Sequence, residues 1–224
     1  MRISEIFYSV QGEGSLVGVP SVFVRTTGCN LRCSWCDTPY TSWHPEGDEL
    51  SLDTILSQAA RYSAARHVVL TGGEPMLAQG IVELSNRFRE LGMHITFETA
   101  GTIVAPVACD LMSISPKLSN STPEGVFRQT HERLRLQPDV LKHLTSEYDY
   151  QLKFVIAREE DLAEARAVIA DIGAAPEKIV LMPEGITAET LNARGAWIAE
   201  LCKQFGYRFS PRLHVYLYGN KRGT

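Results

Sequence analysis

The residues with the clearest chemical potential are three cysteines in one short stretch. Cys29, Cys33 and Cys36 fall within eight residues, on a predicted loop. Thiolates are soft ligands that select zinc, copper(I) or iron–sulfur clusters. Three cysteines would leave one iron of a four-iron cube without a protein ligand, and an open metal position is a site for reaction. A structural zinc site with His44 as its fourth ligand is the alternative, and the spacing alone leaves both open.

Two further cysteines are predicted to pack in the interior. Cys109 and Cys202 lie far from the first three, one beside a predicted strand and the other in a predicted helix. Buried free cysteine is common, so neither is assigned to chemistry. An odd total of five cysteines also argues against a disulfide framework and favours a reducing compartment, the cytoplasm.

Two predicted strand ends carry residues that suit ligand binding. Residues 70–75 read Leu-Thr-Gly-Gly-Glu-Pro, and residues 115–117 read Ser-Pro-Lys. Glycines at the C-terminal end of a parallel strand let a ligand approach the backbone. The alternatives are a plain strand-to-helix turn with Pro75 at the first helical position and a solvated Lys117. Glu98 lies at the end of a third predicted strand and is expected to point to the same rim, and its role is left open.

The order of these motifs resembles the radical S-adenosylmethionine (SAM) family. The features that carry this resemblance are Cys-x3-Cys-x2-Cys, an aromatic Trp35 before the last cysteine, and the later Gly-Gly-Glu-Pro turn. The resemblance implies a [4Fe-4S] cluster on the three cysteines, with its open iron chelated by the amino and carboxylate groups of SAM. The residues it assigns to SAM are Trp35, Cys36, Asp37, Gly73, Ser115, Pro116 and Lys117.

Within that family, both chain ends look like 7-carboxy-7-deazaguanine synthases. The matching segments are Gln-Gly-Glu-Gly at 11–14, Arg25, Cys-Asp-Thr at 36–38, and Gly-Asn-Lys-Arg-Gly at 219–223. The resemblance implies a lyase that contracts the ring of 6-carboxy-5,6,7,8-tetrahydropterin with loss of ammonia, on the pathway to 7-deazapurines such as queuosine. A 5′-deoxyadenosyl radical would take hydrogen from the pterin C6 and later return it, which regenerates SAM.

The same resemblance implies further ligands and partners. Magnesium would bind Thr38 and the substrate carboxylate, and a capping hydroxyl is the alternative role for Thr38. We add Glu13 to the implied substrate contacts, and His214, expected in a terminal strand, is as often a packed residue. The substrate residues are then Val10, Gln11, Gly12, Glu13, Arg25, Thr71 and His214. A reductase, flavodoxin or ferredoxin as electron donor and a homodimer are also expected.

Two other functions share part of this pattern. A radical SAM activase would have the cysteine and Gly-Gly-Glu-Pro motifs and act on a partner protein, but it would not need Gln-Gly-Glu-Gly at residues 11–14. A zinc-binding structural module would be colourless and would not respond to dithionite.

The remaining sequence must supply elements that position these residues. Short apolar runs alternate with helical periodicity, which predicts a parallel sheet with right-handed crossovers. Counting about six βα units, too few for a full eight-unit barrel, we expect an open, partial TIM-like α/β barrel. Residues 1–224 are predicted to be a single domain with an insertion around residues 118–150.

Composition narrows the class of protein. Of the 224 residues, 44% are apolar and 21% are charged, as in ordinary globular proteins. A net charge of −4 argues against a nucleic-acid binder, which would carry a basic stripe. No apolar run approaches the length of a membrane span, and Glu5 lies where a signal peptide would be apolar. A cytoplasmic protein without membrane or nucleic-acid partners is therefore predicted.

Overall fold

The computed structural model of the protein describes all 224 residues as a mixed α/β structure. The strands are β1 (Arg2–Val10), β2 (Pro20–Thr26), β3 (Asp48–Glu49), β4 (His67–Gly72), β5 (His94–Thr99), β6 (Leu111–Ile114), β7 (Tyr150–Ile156), β8 (Ile179–Pro183) and β9 (Arg208–Phe209). The helices are α1 (Pro39–Ser42), α2 (Leu52–Ala60), α3 (Ile81–Glu90), α4 (Arg128–Leu134), α5 (Pro138–Glu147), α6 (Glu160–Ile172), α7 (Ala188–Phe205) and α8 (Leu213–Tyr218).

One open sheet holds all nine strands in the order β3-β1-β2-β4-β5-β6-β7-β8-β9. Every neighbouring pair from β2 to β9 is parallel, whereas β1 pairs antiparallel with both β2 and β3. The central strands are nearly continuous apolar runs because helices and loops cover the parallel sheet. The predicted partial TIM-like barrel is confirmed.

The connections between the parallel strands differ in one respect from the predicted alternation. Helices α3, α6 and α7 follow β4, β7 and β8, but residues 100–110 link β5 to β6 without a helix. Leu77, Ile81, Leu84, Phe88 and Leu91 are spaced like the apolar stripe of one helix, but α3 begins only after Gly80, whose φ of +87° turns the chain. Leu77 and Leu91 lie outside α3 and are 46% and 62% exposed.

The segment 118–150 contains two helices and packs against the cysteine loop. Helices α4 and α5 follow two short 3-10 turns at Ser119–Ser121 and Gly125–Phe127. The Ser34 N–H donates to Ser121 O at 2.8 Å, and the Arg32 N–H donates to His131 Nδ1 at 3.1 Å. The segment therefore contributes to holding the cysteine loop.

The C-terminal part departs from the expected strand. His214 lies in helix α8, not in a strand, so that expectation was wrong. At the start of α8 the Leu213 N–H donates to Gly12 O at 2.9 Å, so this segment bonds to the residues after β1 and not along a strand, and Gly219, with a φ of +74°, ends the helix. None of the helices has both the length and the hydropathy of a transmembrane span.

Candidate active site

A cavity of about 480 Å³ lies at the carboxyl ends of the parallel strands, where ligands bind in barrels of this type. Of the residues predicted for the site, only Pro116 is absent from its wall; it is buried just beside it. The predicted residues on the wall are Val10, Gln11, Gly12, Glu13, Arg25, Cys29, Cys33, Trp35, Cys36, Asp37, Thr38, Thr71, Gly73, Ser115, Lys117 and His214.

The three cysteines of the loop share a common apolar surrounding. Leu31 and Ala100 are buried beside Cys33, and Cys29 and Cys36 pack against the same small cluster. Burial raises the pKa of the Cys29 thiol to about 11 and that of Cys33 to about 12. Binding a metal centre would therefore release protons from these thiols.

The donor set of three cysteines on one cavity wall, without His44 beside them, suits an iron–sulfur cluster with one open iron. No three histidine, cysteine or acidic side chains converge on a point that one ion could occupy. His44, the fourth ligand of the zinc alternative, is exposed and absent from the cavity wall. An iron–sulfur cube instead takes one thiolate at each of its separate corners, which matches three thiols around one cavity.

Side-chain donors to backbone carbonyls hold the conformation of the cysteine loop. Trp43 Nε1 donates to Cys33 O at 3.0 Å, and Arg32 Nη1 donates to Cys29 O at 2.8 Å. The ring of Trp43 also meets Phe127 edge-on, with centroids 5.5 Å apart. These partners fix the loop backbone without using the thiols.

The Gly-Gly-Glu-Pro turn at the end of β4 packs directly on the cysteine loop. A Cβ on Gly73 would come within 2.3 Å of Gly28 O and 2.8 Å of Cys29 Cβ, so only glycine fits there. Glu74 faces the interior and accepts hydrogen bonds from Thr99 Oγ1 at 2.8 and 2.9 Å and from the Ala100 N–H at 2.9 Å. These hydrogen bonds tie the turn to the end of β5, and burial raises the pKa of Glu74.

A cation and an aromatic ring lie together on the wall formed after β6. Lys117 Nζ donates to Ser115 Oγ at 2.8 Å and lies 5.6 Å from the centroid of the Trp35 ring. Trp35 Nε1 donates to Asn120 O at 2.9 Å, which fixes the plane of the indole. The wall therefore offers a flat apolar surface next to a positive charge.

The Thr38 hydroxyl is not used as a helix cap. Thr38 occupies the N-cap position of α1, yet its side chain makes no capping hydrogen bond. Its Oγ1 lies 3.9 Å from Cys36 Sγ, at the outer limit for a hydrogen bond to sulfur. The hydroxyl on the cavity wall is thus free to act as an oxygen ligand.

The opposite wall combines polar groups from β1, β4 and β5. Gln11 Nε2 donates to Glu98 Oε1 at 3.1 Å, and Thr71 Oγ1 donates to Glu98 Oε2 at 2.9 Å. Glu98 was predicted to point to the rim. Because both of its donors are neutral, its carboxylate oxygens can still accept hydrogen bonds from a ligand in the cavity.

Arg25 brings a guanidinium to the same wall. Its Nε lies 2.8 Å from Glu5 Oε1, as an ion pair without a directed hydrogen bond, because this buried Nε–H has no acceptor. The guanidinium also lies 5.6 Å from the centroid of the Phe7 ring. Glu5 and the face of Phe7 thus hold the Arg25 side chain, which lines the cavity.

A buried group of charges joins Glu13 to the end of the cysteine loop. Glu13 Oε2 lies 2.5 Å from Lys153 Nζ, and Glu13 Oε1 accepts a hydrogen bond from Arg212 Nε at 3.0 Å. Arg212 Nη2 pairs with Asp37. Burial would raise the pKa values of both carboxyls, but the cations hold each below its ordinary value. His214 lies nearby, and its burial lowers its pKa.

Sequence reasoning did not assign Lys153 or Arg212 to the site. Lys153 is 5% exposed inside the apolar strand β7, and a charge within such a run was the available indication of a functional side chain. Arg212 is 6% exposed and lies two residues before His214, which was predicted as a substrate contact. Their partners are 140 and 199 residues away in sequence, which no local pattern reveals.

Known proteins resemble this chain along its whole length. A model of the radical SAM superfamily matches residues 23–137. The 7-carboxy-7-deazaguanine synthase of Halobacterium salinarum is 46% identical, with 100% of this chain and 93% of that protein covered. The synthase of the same name from Rhodopirellula baltica is 44% identical over 100% of this chain and 89% of that protein.

Solved structures show the same architecture. The crystal structure of QueE from Escherichia coli matches with a TM-score of 0.71 and 25% identity, covering 95% of this chain and 94% of that chain. SuiB from Streptococcus suis bound to S-adenosylmethionine matches at 14% identity with a TM-score of 0.57, over 86% of this chain and 50% of that one, and this likeness shows the fold alone. The chain therefore belongs to the 7-carboxy-7-deazaguanine synthase family of the radical SAM superfamily.

Proposed function

We propose that this protein converts 6-carboxy-5,6,7,8-tetrahydropterin to 7-carboxy-7-deazaguanine by a radical ring contraction with loss of ammonia, in 7-deazapurine (queuosine) biosynthesis. The observation that carries the proposal is the shared cavity, whose wall holds the three loop thiols, the Gly73 turn and the Arg25 guanidinium. Likeness to synthases of this name over the entire chain supports the same activity.

The cofactor side of the cavity is formed by the loop, the β4 turn and the segment after β6. Cys29, Cys33 and Cys36 would hold a [4Fe-4S] cluster, which, when bound and reduced, supplies the electron that cleaves SAM to a 5′-deoxyadenosyl radical. Lys117 would neutralise the methionine carboxylate, and the Gly73 backbone would receive the amino group. The full proposed set for SAM is Trp35, Cys36, Asp37, Gly73, Ser115, Pro116 and Lys117.

The substrate side is formed mainly by β1, β2 and α8. The planar fork of Arg25 would hold the substrate carboxylate through parallel hydrogen bonds, and the free Thr38 hydroxyl would share a magnesium ion with that carboxylate. Buried walls would keep water away from the radical. The proposed substrate set is Val10, Gln11, Gly12, Glu13, Arg25, Thr71 and His214.

The electron donor would be an acidic one-electron carrier of the flavodoxin or ferredoxin class, or a reductase bearing such a domain. A surface formed by Arg32, Val126, Phe127 and Arg128, the loop-cover surface, supports this proposal. Val126 is 89% exposed, and Phe127 contacts Trp43, whose indole bonds the backbone of Cys33. Two arginines at this place contrast with a chain of net charge −4 and would attract an acidic partner.

Further features of the protein follow from the same family. We infer a single domain because one sheet contains every strand. A cytoplasmic location is in keeping with five free cysteines. A homodimer is proposed from the family resemblance, and light scattering coupled to size-exclusion chromatography would measure it.

The activity is tested by an anaerobic reaction analysed by mass spectrometry. Protein reconstituted with iron and sulfide would be incubated with SAM, dithionite, magnesium and the carboxypterin, and each component would be omitted in turn. The product mass of 7-carboxy-7-deazaguanine should depend on SAM and dithionite. A glycyl-radical signal on an added protein would favour the activase, and a colourless protein with one zinc would favour the structural module.

A further inference from the structure

Arg212 joins three segments that are far apart in the sequence. Its Nε donates to Glu13 Oε1 at 3.0 Å, its Nη1 donates to Gly185 O at 2.6 Å, and its Nη2 pairs with Asp37. The side chain is buried, and the residue directly precedes α8. One planar group thus fixes the segment after β1, the loop after β8 and the end of the cysteine loop relative to each other.

The charge balance makes Arg212 necessary for this arrangement. Glu13 and Asp37 carry like charges on either side of Arg212, and the Glu13 carboxylate by itself would raise the pKa of Asp37. Lys153 neutralises Glu13 from the β7 side, but the arginine is the cation that Asp37 contacts. Removing it would leave Asp37, whose side chain is 36% exposed, without the cation that holds it in place.

The position of Asp37 gives this contact a consequence for chemistry. Asp37 lies between Cys36, a proposed cluster ligand, and Thr38, the proposed magnesium ligand. Glu13 follows Gln11 and Gly12 on the substrate wall, and its N–H donates to Gln11 Oε1 at 3.1 Å. We propose that Arg212 is a positioning residue that sets the Thr38 end of the cysteine loop against the substrate segment Gln11–Glu13. This proposal rests on the proposed function.

Lysine cannot replace the arginine in this role. The guanidinium presents five N–H donors in a fixed plane, whereas an ammonium is a compact charge on a flexible stem. Arg212→Lys would keep the positive charge yet could not hold Glu13, Asp37 and Gly185 O in one plane. The variant therefore separates neutralisation of charge from positioning.

The first readout uses cluster-free protein and no substrate. Hydrogen exchange followed by mass spectrometry would report on the peptide covering residues 37–42, where the Thr41 N–H donates to Thr38 O at 2.9 Å. Arg212→Lys should raise exchange in this peptide and leave exchange in β4 and β5 unchanged. Unchanged exchange in residues 37–42 would overturn the proposal.

The second readout uses reconstituted enzyme. Arg212→Lys should lower kcat/KM for the carboxypterin roughly ten- to a hundredfold, as expected for lost hydrogen bonds to charged groups, and raise the magnesium concentration for half-maximal stimulation. Cluster content should match wild type. Arg194→Lys is the matched control, because Arg194 pairs with Glu184 and its backbone carbonyl without contacting Asp37 or Glu13. A wild-type magnesium response in Arg212→Lys would contradict the proposal.

A double variant separates positioning from a purely structural role. Arg212→Gln should lower the Tm, and adding Asp37→Asn should restore it by removing the unpaired carboxylate. The proposal expects exchange at residues 37–42 to stay high in the double variant even though its Tm is restored. Recovery of wild-type exchange together with the Tm would mean that Arg212 only neutralises charge. If wild type makes no product, the proposed function fails while the exchange result still decides the role of Arg212.

Discussion

Three acidic residues at the same rim are held in three different ways at the scale of single side chains. Glu13 is bound by two cations, Glu98 by the neutral donors Gln11 and Thr71, and Glu74 by a hydroxyl and backbone N–H groups. Glu13 therefore orders the protein around it, Glu74 orders a turn, and Glu98 brings hydrogen-bond acceptors to the cavity wall. The sequence predicted acidic residues at the site, but how each carboxylate is held depends on partners that are distant in sequence.

The cluster assignment is tested by cysteine variants. Cys33→Ala should yield protein with a damaged or absent cluster and no SAM cleavage, because each thiolate would hold one iron. Cys109→Ala and Cys202→Ala should keep both, since neither residue lines the cavity. Iron and sulfide analysis and formation of 5′-deoxyadenosine measure the outcome. Four irons and SAM cleavage in Cys33→Ala would show the assignment to be wrong.

The fork of Arg25 is tested by a conservative change. Arg25→Lys should lower kcat/KM for the carboxypterin roughly ten- to a hundredfold, because an ammonium cannot make two parallel hydrogen bonds to a carboxylate. Cluster content and SAM binding should be retained, as in the exposed control Arg61→Lys. Loss of SAM binding in Arg25→Lys would place this residue elsewhere than at the substrate.

The ion pairs of Glu13 and Asp37 predict how stability depends on pH. Because both folded pKa values lie below the ordinary 4.5 and 3.8, the unfolded chain binds more protons in acid. Their stabilisation is thus present above the ordinary values and is lost as pH falls through them toward the folded ones. Urea denaturation of cluster-free protein would be measured from pH 6 down to about pH 4, where carboxyl groups begin to titrate. The free energy of unfolding should fall as the pH falls. Arg212→Gln should reduce this slope, and equal slopes would contradict the assignment.

At the scale of elements, the sequence predicted strands better than their connections. Apolar runs predicted β4, β5, β7 and β8 because parallel strands are buried on both faces. The link between β5 and β6 contains no helix, in keeping with Gly101 and Pro106, two residues that disfavour one. Helix α8 depends on the Leu213 N–H reaching Gly12 O, a contact that spans almost the whole chain.

The close approach of the β4 turn to the cysteine loop is tested with two glycines. Gly73→Ala should lower cluster content and SAM binding at least tenfold, because the new Cβ would overlap Gly28 O and Cys29 Cβ. Gly195→Ala, inside α7 with its nearest neighbour 3.7 Å away, should instead raise the free energy of unfolding by about 0.5–1 kcal/mol. Iron analysis and urea denaturation of both variants measure this difference. A normal cluster in Gly73→Ala would mean that the loop can move away from the turn.

At the scale of the whole molecule, the sheet collects motifs from both chain ends at one rim. The order of motifs along the sequence predicted the family and the cavity, because parallel strands bring their carboxyl ends together. The sequence could not show that residues 118–150 cover the cysteine loop, since that depends on tertiary contacts such as the one from Arg32 to His131.

The loop-cover surface predicts how electrons enter. Val126→Glu should slow turnover driven by reduced flavodoxin at least fivefold, because a negative charge on this surface would repel an acidic donor. Turnover driven by dithionite, a small ion, should stay within the range of wild type, and Ile186→Glu at another exposed apolar position is the control. Equal slowing with both reductants would show that the electron donor does not bind this surface.

The central claim is that SAM serves as a reusable radical source for a ring contraction in this cavity. The most direct measurement is mass spectrometry of an anaerobic reaction in which the carboxypterin greatly exceeds SAM, with ammonia measured in parallel. We predict that 7-carboxy-7-deazaguanine and ammonia form in equal amounts, and that each exceeds the amount of SAM consumed. Consumption of SAM to 5′-deoxyadenosine while the carboxypterin remains unchanged would contradict it.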